Sequence, residues 1–185
     1  MIAVAVTGRT EGAGIRRRLD SLLKPVEDAA AVIGGAMMVL AMLLMTADAV
    51  MRYLFASPIA IAPRLIEFYL MVGMFAMPLA WGFRTGGYIR IIGAVAALPG
   101  RAREFVLRAG LLVSSVYVGG LAWASGRRFV ETWRTGEVYV AVLDWSVAWS
   151  WIWVPVGLGL LTARLVLMAV GPARELTVAN GPEEL

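Results

Sequence analysis

The stretch AAAVIGGAMMVLAMLLMTA, residues 29–47, decides the fold of this chain. It contains no charged residue and is bounded by Glu27 and Asp28 on one side and by Asp48 on the other. A helix of this length crosses the hydrocarbon core of a bilayer, which is about 30 Å thick. Three further stretches of the same kind lack the alternating pattern of barrel strands. The predicted membrane spans are about 29–48, 63–83, 106–126 and 145–170.

The composition agrees with a membrane protein, since 60% of the residues are hydrophobic and only 16% are charged. The chain has no Cys and no His, which excludes disulfides, thiolate nucleophiles, imidazole catalysis and most zinc sites. The sequence also lacks a phosphate-binding loop and an inverted repeat. We therefore expect no enzymatic activity, no cofactor and no metal site. The net charge of +4 comes mostly from arginines beside apolar runs, which is typical of membrane faces and predicts no nucleic-acid partner.

Basic residues are concentrated on one predicted side of the membrane. They precede the first span, separate the second from the third, and follow the fourth. The residues concerned are Arg9, Arg16, Arg17, Arg18, Lys24, Arg84, Arg90, Arg101, Arg103, Arg108 and Arg174. The positive-inside rule places this side, with both termini, in the cytoplasm. The predicted fold is an all-α integral membrane protein of four helices with cytoplasmic N- and C-termini.

The segments outside the spans have separate predictions. In residues 15–26, Leu19, Leu22 and Leu23 recur at helical spacing among basic residues, which predicts an interfacial amphipathic helix. The alternative is a plain extension of the first span that is interrupted at Pro25. The predicted domain boundaries are 1–14 for a flexible arm, 15–26 for the interfacial helix, 27–171 for the four-span membrane domain and 172–185 for a cytoplasmic tail.

Charged residues near the ends of the first two spans are candidates for pairing. Arg52 follows Asp48 by four positions and Glu67 follows Arg64 by three, so each spacing permits an ion pair within a helix. Two other roles are open for Glu67. One is an ion carrier, although nothing deeper in the span continues a path, and the other is contact with a partner protein.

The second span has two different faces when its residues are projected at about 100° each. The face suited to close helix packing consists of Gly73, Ala76 and Ala80. The opposite face would be unusual against lipid and consists of Glu67, Met71, Met74 and Pro78. Small residues four apart predict two further packing pairs, Ala31 with Gly35 and Ser115 with Gly119.

Tryptophans form a stripe near the start of the fourth span. Trp145, Trp149 and Trp153 follow one another at intervals of four residues. This pattern is consistent with an aromatic belt at the membrane interface, and equally with a rigid contact surface for another protein or a structural lipid.

One continuous segment resembles a known family. TADAVMRYLFASPIAIAPRLIEFYLMVGMFAMPLAWGFRTGGYIRI, residues 46–91, is similar to the DctQ-like small membrane subunit of tripartite ATP-independent periplasmic (TRAP) transporters. Tyr88 stands where that family often has His. The resemblance rests on the positions Arg52, Tyr53, Pro58, Glu67 and Arg84 through Ile89.

The resemblance implies a transport function in the bacterial inner membrane. The chain would scaffold a large multi-span permease subunit that carries the substrate and sodium sites. A periplasmic solute-binding protein would deliver an organic acid or related solute, and membrane lipid would surround the complex. The expected partner-interface or structural residues are Arg52, Glu67, Met71, Met74, Arg84, Trp145, Trp149 and Trp153. Alternatives are the small subunit of a tripartite tricarboxylate transporter, an assembly factor for another membrane complex, and a homo-oligomeric channel.

Overall fold

The computed structural model describes residues 3–86, 99–139 and 145–171. Its four long apolar segments confirm the predicted all-α membrane fold. The side of the membrane on which the termini lie stays a prediction. The segments able to span a membrane are Arg16–Phe55, Ala62–Arg84, Ala102–Thr135 and Ala148–Ala169.

The first helix, α1 (Ala3–Phe55), is continuous. Its part from Arg16 to Phe55 has 40 residues and extends about 60 Å, twice the thickness of a hydrocarbon core. Pro25 lies inside α1 and removes one backbone donor without ending the helix. The chain is therefore helical from Ala3 to Phe55, and no break separates residues 3–14 or 15–26 from the first span. The flexible arm, the surface position of 15–26 and all the domain boundaries stay predictions.

The second span is built from consecutive short helical pieces. Pro78 separates the last two pieces, because proline has no N–H to continue the helical ladder. The π-helix widens one turn within the first half of the span. The pieces are α2 (Ala62–Leu65), a π-helix (Ile66–Leu70), α3 (Met71–Ala76) and α4 (Leu79–Arg84).

The second half of the chain contains two long helices joined by a short antiparallel hairpin. The first of them ends at Gly136, whose positive φ of 65° forms a left-handed cap. Pro155 lies in the first turn of the last helix, where a backbone N–H has no helical partner in any case. The elements are α5 (Gly100–Thr135), β1 (Val138–Tyr139), β2 (Trp145–Ser146), α6 (Ala148–Trp151) and α7 (Trp153–Ala169).

The spans are arranged with two central and two peripheral members. Helix α1 packs mainly on the second span, α5 packs mainly on α7, and α7 also packs on the second span. A core of Ala80, Leu161 and Leu165 joins the second span to α7. In an apolar stretch of 18 residues, only 17% of the first span is buried, and the corresponding value for the third span is 6%. The two peripheral helices therefore present large apolar faces to lipid or to another protein.

Candidate functional site

Charged side chains from three spans meet at one end of the protein, which we call the network end. Acidic residues come from α1, and arginines come from the last turn of α4 and the second half of α7. The members of the network are Asp20, Lys24, Glu27, Asp28, Arg84 and Arg164.

Glu27 is the centre of the network. Its side chain is completely buried, although it is ionisable. Arg84 Nε lies 3.4 Å from Glu27 Oε2, and Arg164 Nε lies 3.7 Å from Glu27 Oε1. Neither carboxylate oxygen has a hydrogen-bond partner within the described part of the chain. The two guanidinium charges therefore stabilise Glu27 by Coulomb attraction in a site of low polarity.

Further ion pairs connect this centre to the surface. Arg164 Nη1 donates to Asp20 Oδ1 at 2.6 Å, and Lys24 Nζ lies 2.8 Å from Asp20 Oδ2. Arg84 Nη2 donates to Asp28 Oδ1. Three acids and three bases are thus matched, and the network has no net charge. It fixes the rotation of α1 against the second span and α7, which is a structural function.

No group of three or more His, Cys, Asp or Glu suited to a metal ion occurs among the described residues. The carboxylates face arginines, which compete with any cation for their oxygens.

The opposite end, which we call the hairpin end, has a second buried carboxylate. Asp48 is 7% exposed and accepts hydrogen bonds from Arg52 Nη2 and from the backbone N–H of Ile59, both at 2.8 Å. The spacing of Arg52 and Asp48 had predicted the first contact. The second contact connects the end of α1 to the loop before the second span, so Asp48 positions that loop.

Two hydrogen bonds connect the second span to the hairpin end. Tyr69 Oη donates to the carbonyl of Ser146 at 2.9 Å. Ser150 Oγ donates to the carbonyl of Phe68, a backbone group in the π-helix. The π-helix is therefore held against the hairpin and α6.

Glu67 and Arg64 do not form the ion pair that their spacing permits. Both are exposed, and no ion pair joins them in the structure. The π-helix begins at Ile66, between the two residues, and its wider turn increases their angular separation around the helix axis.

The predicted packing face of the second span is buried between α1 and α7. A Cβ atom added to Gly73 would lie 2.3 Å from Met37 Sδ and 3.5 Å from Trp153 Cγ. Ala76 is 8% exposed and Ala80 is fully buried. Glycine and alanine at these positions let the helix backbones approach one another closely.

Of the other two predicted packing pairs, the one with Gly119 lies close to another helix and the one with Gly35 does not. A Cβ atom on Gly119 would lie 3.3 Å from Thr162 Cγ2, and Ser115 is 6% exposed. Ser115 Oγ donates to the carbonyl of Leu112 in its own helix. In contrast, a Cβ atom on Gly35 would have no neighbour within 4 Å.

Ala31 and Gly35 line an open groove of about 430 Å³ between α1 and the second span. Met74 and Pro78 line its other wall, whereas Met71 is 46% exposed outside it. The tight contact in this region is made by Gly34, on which a Cβ atom would lie 2.9 Å from Pro78 Cδ. On the predicted opposite face of the second span, Met74 and Pro78 therefore lie beside α1, whereas Glu67 and Met71 are uncovered.

The tryptophans of the fourth span point to different neighbours. Trp149 is 55% exposed and contacts Trp133 of α5 edge to face, with ring centroids 6.0 Å apart. Trp153 is half-buried beside Gly73. The side chain of Trp145 lies outside the described residues. The described pair thus serves two helix contacts, and only Trp149 contributes an exposed surface.

The sequence did not single out Glu27, Arg164 or Gly157 as site residues. The sequence did offer one signal for the charge network. Glu27 at the start of the first span lies on the same predicted side of the membrane as Arg84 and Arg164, which are near the ends of the second and fourth spans. Gly157 had no such signal. A Cβ atom there would lie 2.1 Å from the carbonyl oxygen of Ala76, which shows how closely α7 approaches the second span.

The fold and its two connected ends define a multi-pass membrane protein of four spans. The family described as tripartite ATP-independent periplasmic transporters, DctQ component, matches residues 41–175. The chain belongs to this family, as the resemblance had predicted, and is a transporter subunit whose family partner is the large permease subunit. No curated protein gives a significant match. The matched region includes Arg84 and Arg164 but not Glu27, so the acidic half of the network lies outside it.

Proposed function

We propose that this chain is a rigid scaffold for the large ion-coupled permease subunit of a TRAP transporter. In this function it supports sodium-coupled uptake of an organic acid or related solute that a periplasmic binding protein delivers. The proposed location is the bacterial inner membrane, with lipid against the faces that the permease subunit leaves free.

The proposal rests on two features together: polar contacts join the helices at both ends of the protein, and the two peripheral helices leave apolar surface uncovered. The charge network joins three spans at one end, and Asp48, Tyr69 and Ser150 join helices at the other. The first and third spans leave most of their apolar surface uncovered at opposite edges. A protein built in this way can present a wide, rigid surface against which a moving subunit works.

The proposal assigns ion coupling to the partner subunit. The described buried carboxylates, Glu27 and Asp48, face basic groups or hydrogen-bond donors, which compete with sodium for their oxygens. Family membership favours a TRAP complex over a tricarboxylate transporter. An assembly factor and a homo-oligomeric channel are then outcomes that the experiment must distinguish.

The proposed orientation places the network end in the cytoplasm. Arg16, Arg17, Arg103 and Arg108 belong to this end of their helices, in agreement with the positive-inside rule. The hairpin end would then face the periplasmic binding protein. Labelling of single cysteines introduced at the exposed positions Thr85 and Ala60, in intact cells with an impermeant maleimide, tests this orientation. We expect labelling at Ala60 only, and labelling at Thr85 only would reverse the orientation.

The function is tested by deleting the chain from a strain that depends on the transporter. We expect uptake to be lost and to return with the wild-type chain, while immunoblots show the permease subunit in the membrane throughout. The tagged chain should co-purify with a large multi-span protein in mild detergent. Uptake that persists unchanged without the chain contradicts the proposal. A purified homo-oligomer that conducts ions in liposomes would instead support a channel.

A further inference from the structure

A mixed polar and apolar stripe is uncovered on the second span. Glu67, Met71 and Phe75 follow one another at intervals of four residues along one side of the span, and Arg64 lies one turn before Glu67 at a different angle around the helix axis. All four side chains are exposed, Met71 by 46% and Phe75 by 62%. We call this set the Glu67 stripe.

The stripe lies within the length of the membrane span. Glu67 follows Ala62, the first residue of the span, by about 7.5 Å along the helix axis at 1.5 Å per residue. A carboxylate that faces hydrocarbon at this depth is unfavourable unless a counter-charge or water reaches it. The two apolar members, Met71 and Phe75, lie deeper in the span than Glu67.

The charges of the stripe differ from three buried charges of the membrane spans. Glu27, Asp48 and Arg164 each have a partner within the chain. Neither Glu67 nor Arg64 has an ion pair or a side-chain hydrogen bond within the described structure. The fold therefore pairs these three charges internally and leaves Arg64 and Glu67 for a group outside the chain.

The local backbone explains why Glu67 is directed outward. The two residues that follow it, Phe68 and Tyr69, are engaged with the hairpin end through a backbone carbonyl and a phenolic hydroxyl. Glu67 belongs to the same π-helix and is exposed. π-turns are rare in helices overall, but those that occur are often found at functional sites. The distortion at Glu67 is therefore consistent with a contact surface.

We infer that the Glu67 stripe binds a transmembrane helix of the large permease subunit, which presents a Lys or Arg to Glu67. This inference rests on the proposed function. A hydrogen-bond acceptor of the same partner faces Arg64, and apolar side chains pack on Met71 and Phe75. Methionine and aromatic residues are enriched in protein interfaces, and a charge pair inside them fixes register. Lipid tails fit the apolar half of the stripe but offer nothing to Glu67.

The experiment uses the full chain co-expressed with a tagged permease subunit, and it measures the amount of chain retained per permease in mild detergent. We expect Glu67→Lys to lower retention about tenfold or more, which corresponds to about 1.4 kcal/mol, and Glu67→Gln to lower it less. The control is Glu131, an acid near the end of α5 that is 63% exposed but pairs with Arg128 of its own helix at 3.3 Å. Glu131→Lys and Glu131→Gln should retain the wild-type ratio.

A cross-link provides an independent readout. The chain has no cysteine, so Met71→Cys creates a single thiol that can carry a photoreactive benzophenone. We expect a covalent product with a permease peptide that lies within one or two helical turns of a Lys or Arg. Each variant should melt at the wild-type temperature when purified alone, since the substituted side chains are exposed.

The outcomes separate the two proposals. Wild-type retention by Glu67→Lys, or a benzophenone at position 71 that labels lipid alone, overturns the stripe inference and leaves the scaffold function intact. A wild-type chain that does not co-purify with the permease overturns the proposed function, and the stripe inference fails with it.

Discussion

Replacement of Gly157 by alanine tests how closely α7 approaches the second span. The added Cβ atom would lie 2.1 Å from the carbonyl oxygen of Ala76 and 2.6 Å from its carbonyl carbon. Both atoms belong to the backbone and cannot rotate away. A tolerable C···O contact is about 3.3 Å, so the two helices must separate locally by about 1.2 Å.

The expected loss of stability combines two opposing effects. Overpacking costs about 3 kcal/mol at the upper end of its usual range, and alanine gains about 1 kcal/mol over glycine through its helix propensity. We expect Gly157→Ala to lower the free energy of unfolding by about 2 kcal/mol. For a chain of this size that corresponds to a fall of about 4–8 °C in the melting temperature, measured on the purified protein in mild detergent.

Gly159→Ala is the matched control in the same helix. A Cβ atom on Gly159 has no neighbour within 4 Å, so only the gain in helix propensity applies. We expect its melting temperature to equal the wild-type value or to exceed it by about 2–4 °C. Equal melting temperatures for Gly157→Ala and Gly159→Ala would refute the close approach of α7 and the second span.

Two further predictions concern the two ends of the protein. Glu27→Gln leaves Arg84 and Arg164 without their shared carboxylate, but each keeps another acid, so the loss should be about 2 kcal/mol rather than the 3–5 kcal/mol typical of a fully broken buried pair. The measurement is again the melting temperature in detergent, and an unchanged value would contradict the central position of Glu27. Asp48→Ala removes the acceptor of the Ile59 amide, so hydrogen exchange of that amide should accelerate about tenfold or more, as a loss of about 1.4 kcal/mol implies. Exchange at the wild-type rate would show that the loop is held by other contacts.

The number and order of the spans could be predicted because each needs only an apolar run of sufficient length between charges. The small-residue face of Gly73, Ala76 and Ala80 could be read from helical spacing for a similar reason. The spacing of residues within one helix does not show how that helix is rotated relative to its neighbours. Nor does spacing reveal the π-helix that begins between Arg64 and Glu67, so the ion pair that the spacing permits does not form.

The buried network needed information that no single span carries. Glu27 and Arg164 each look like an ordinary charge near a span end, where a side chain can extend toward water. Their contact depends on how α1 and α7 pack on the second span, and Gly157 lets α7 approach that span closely. The sequence around Gly157 contains a second glycine, Gly159, and nothing local distinguishes the packed position from the open one.

The N-terminal half of α1 is required by the charges of the other spans. Arg84 pairs with Glu27 and Asp28, while Arg164 pairs with Asp20 and Glu27. Every described carboxylate partner of these two arginines therefore comes from α1, before the region that matches the family. The arginine side chains are only 17% and 7% exposed, so loss of the α1 carboxylates alone would leave two guanidinium groups buried without counter-charges. The N-terminal half of α1 thus neutralises buried arginines of the second and fourth spans and joins both spans to a helix at the edge of the protein.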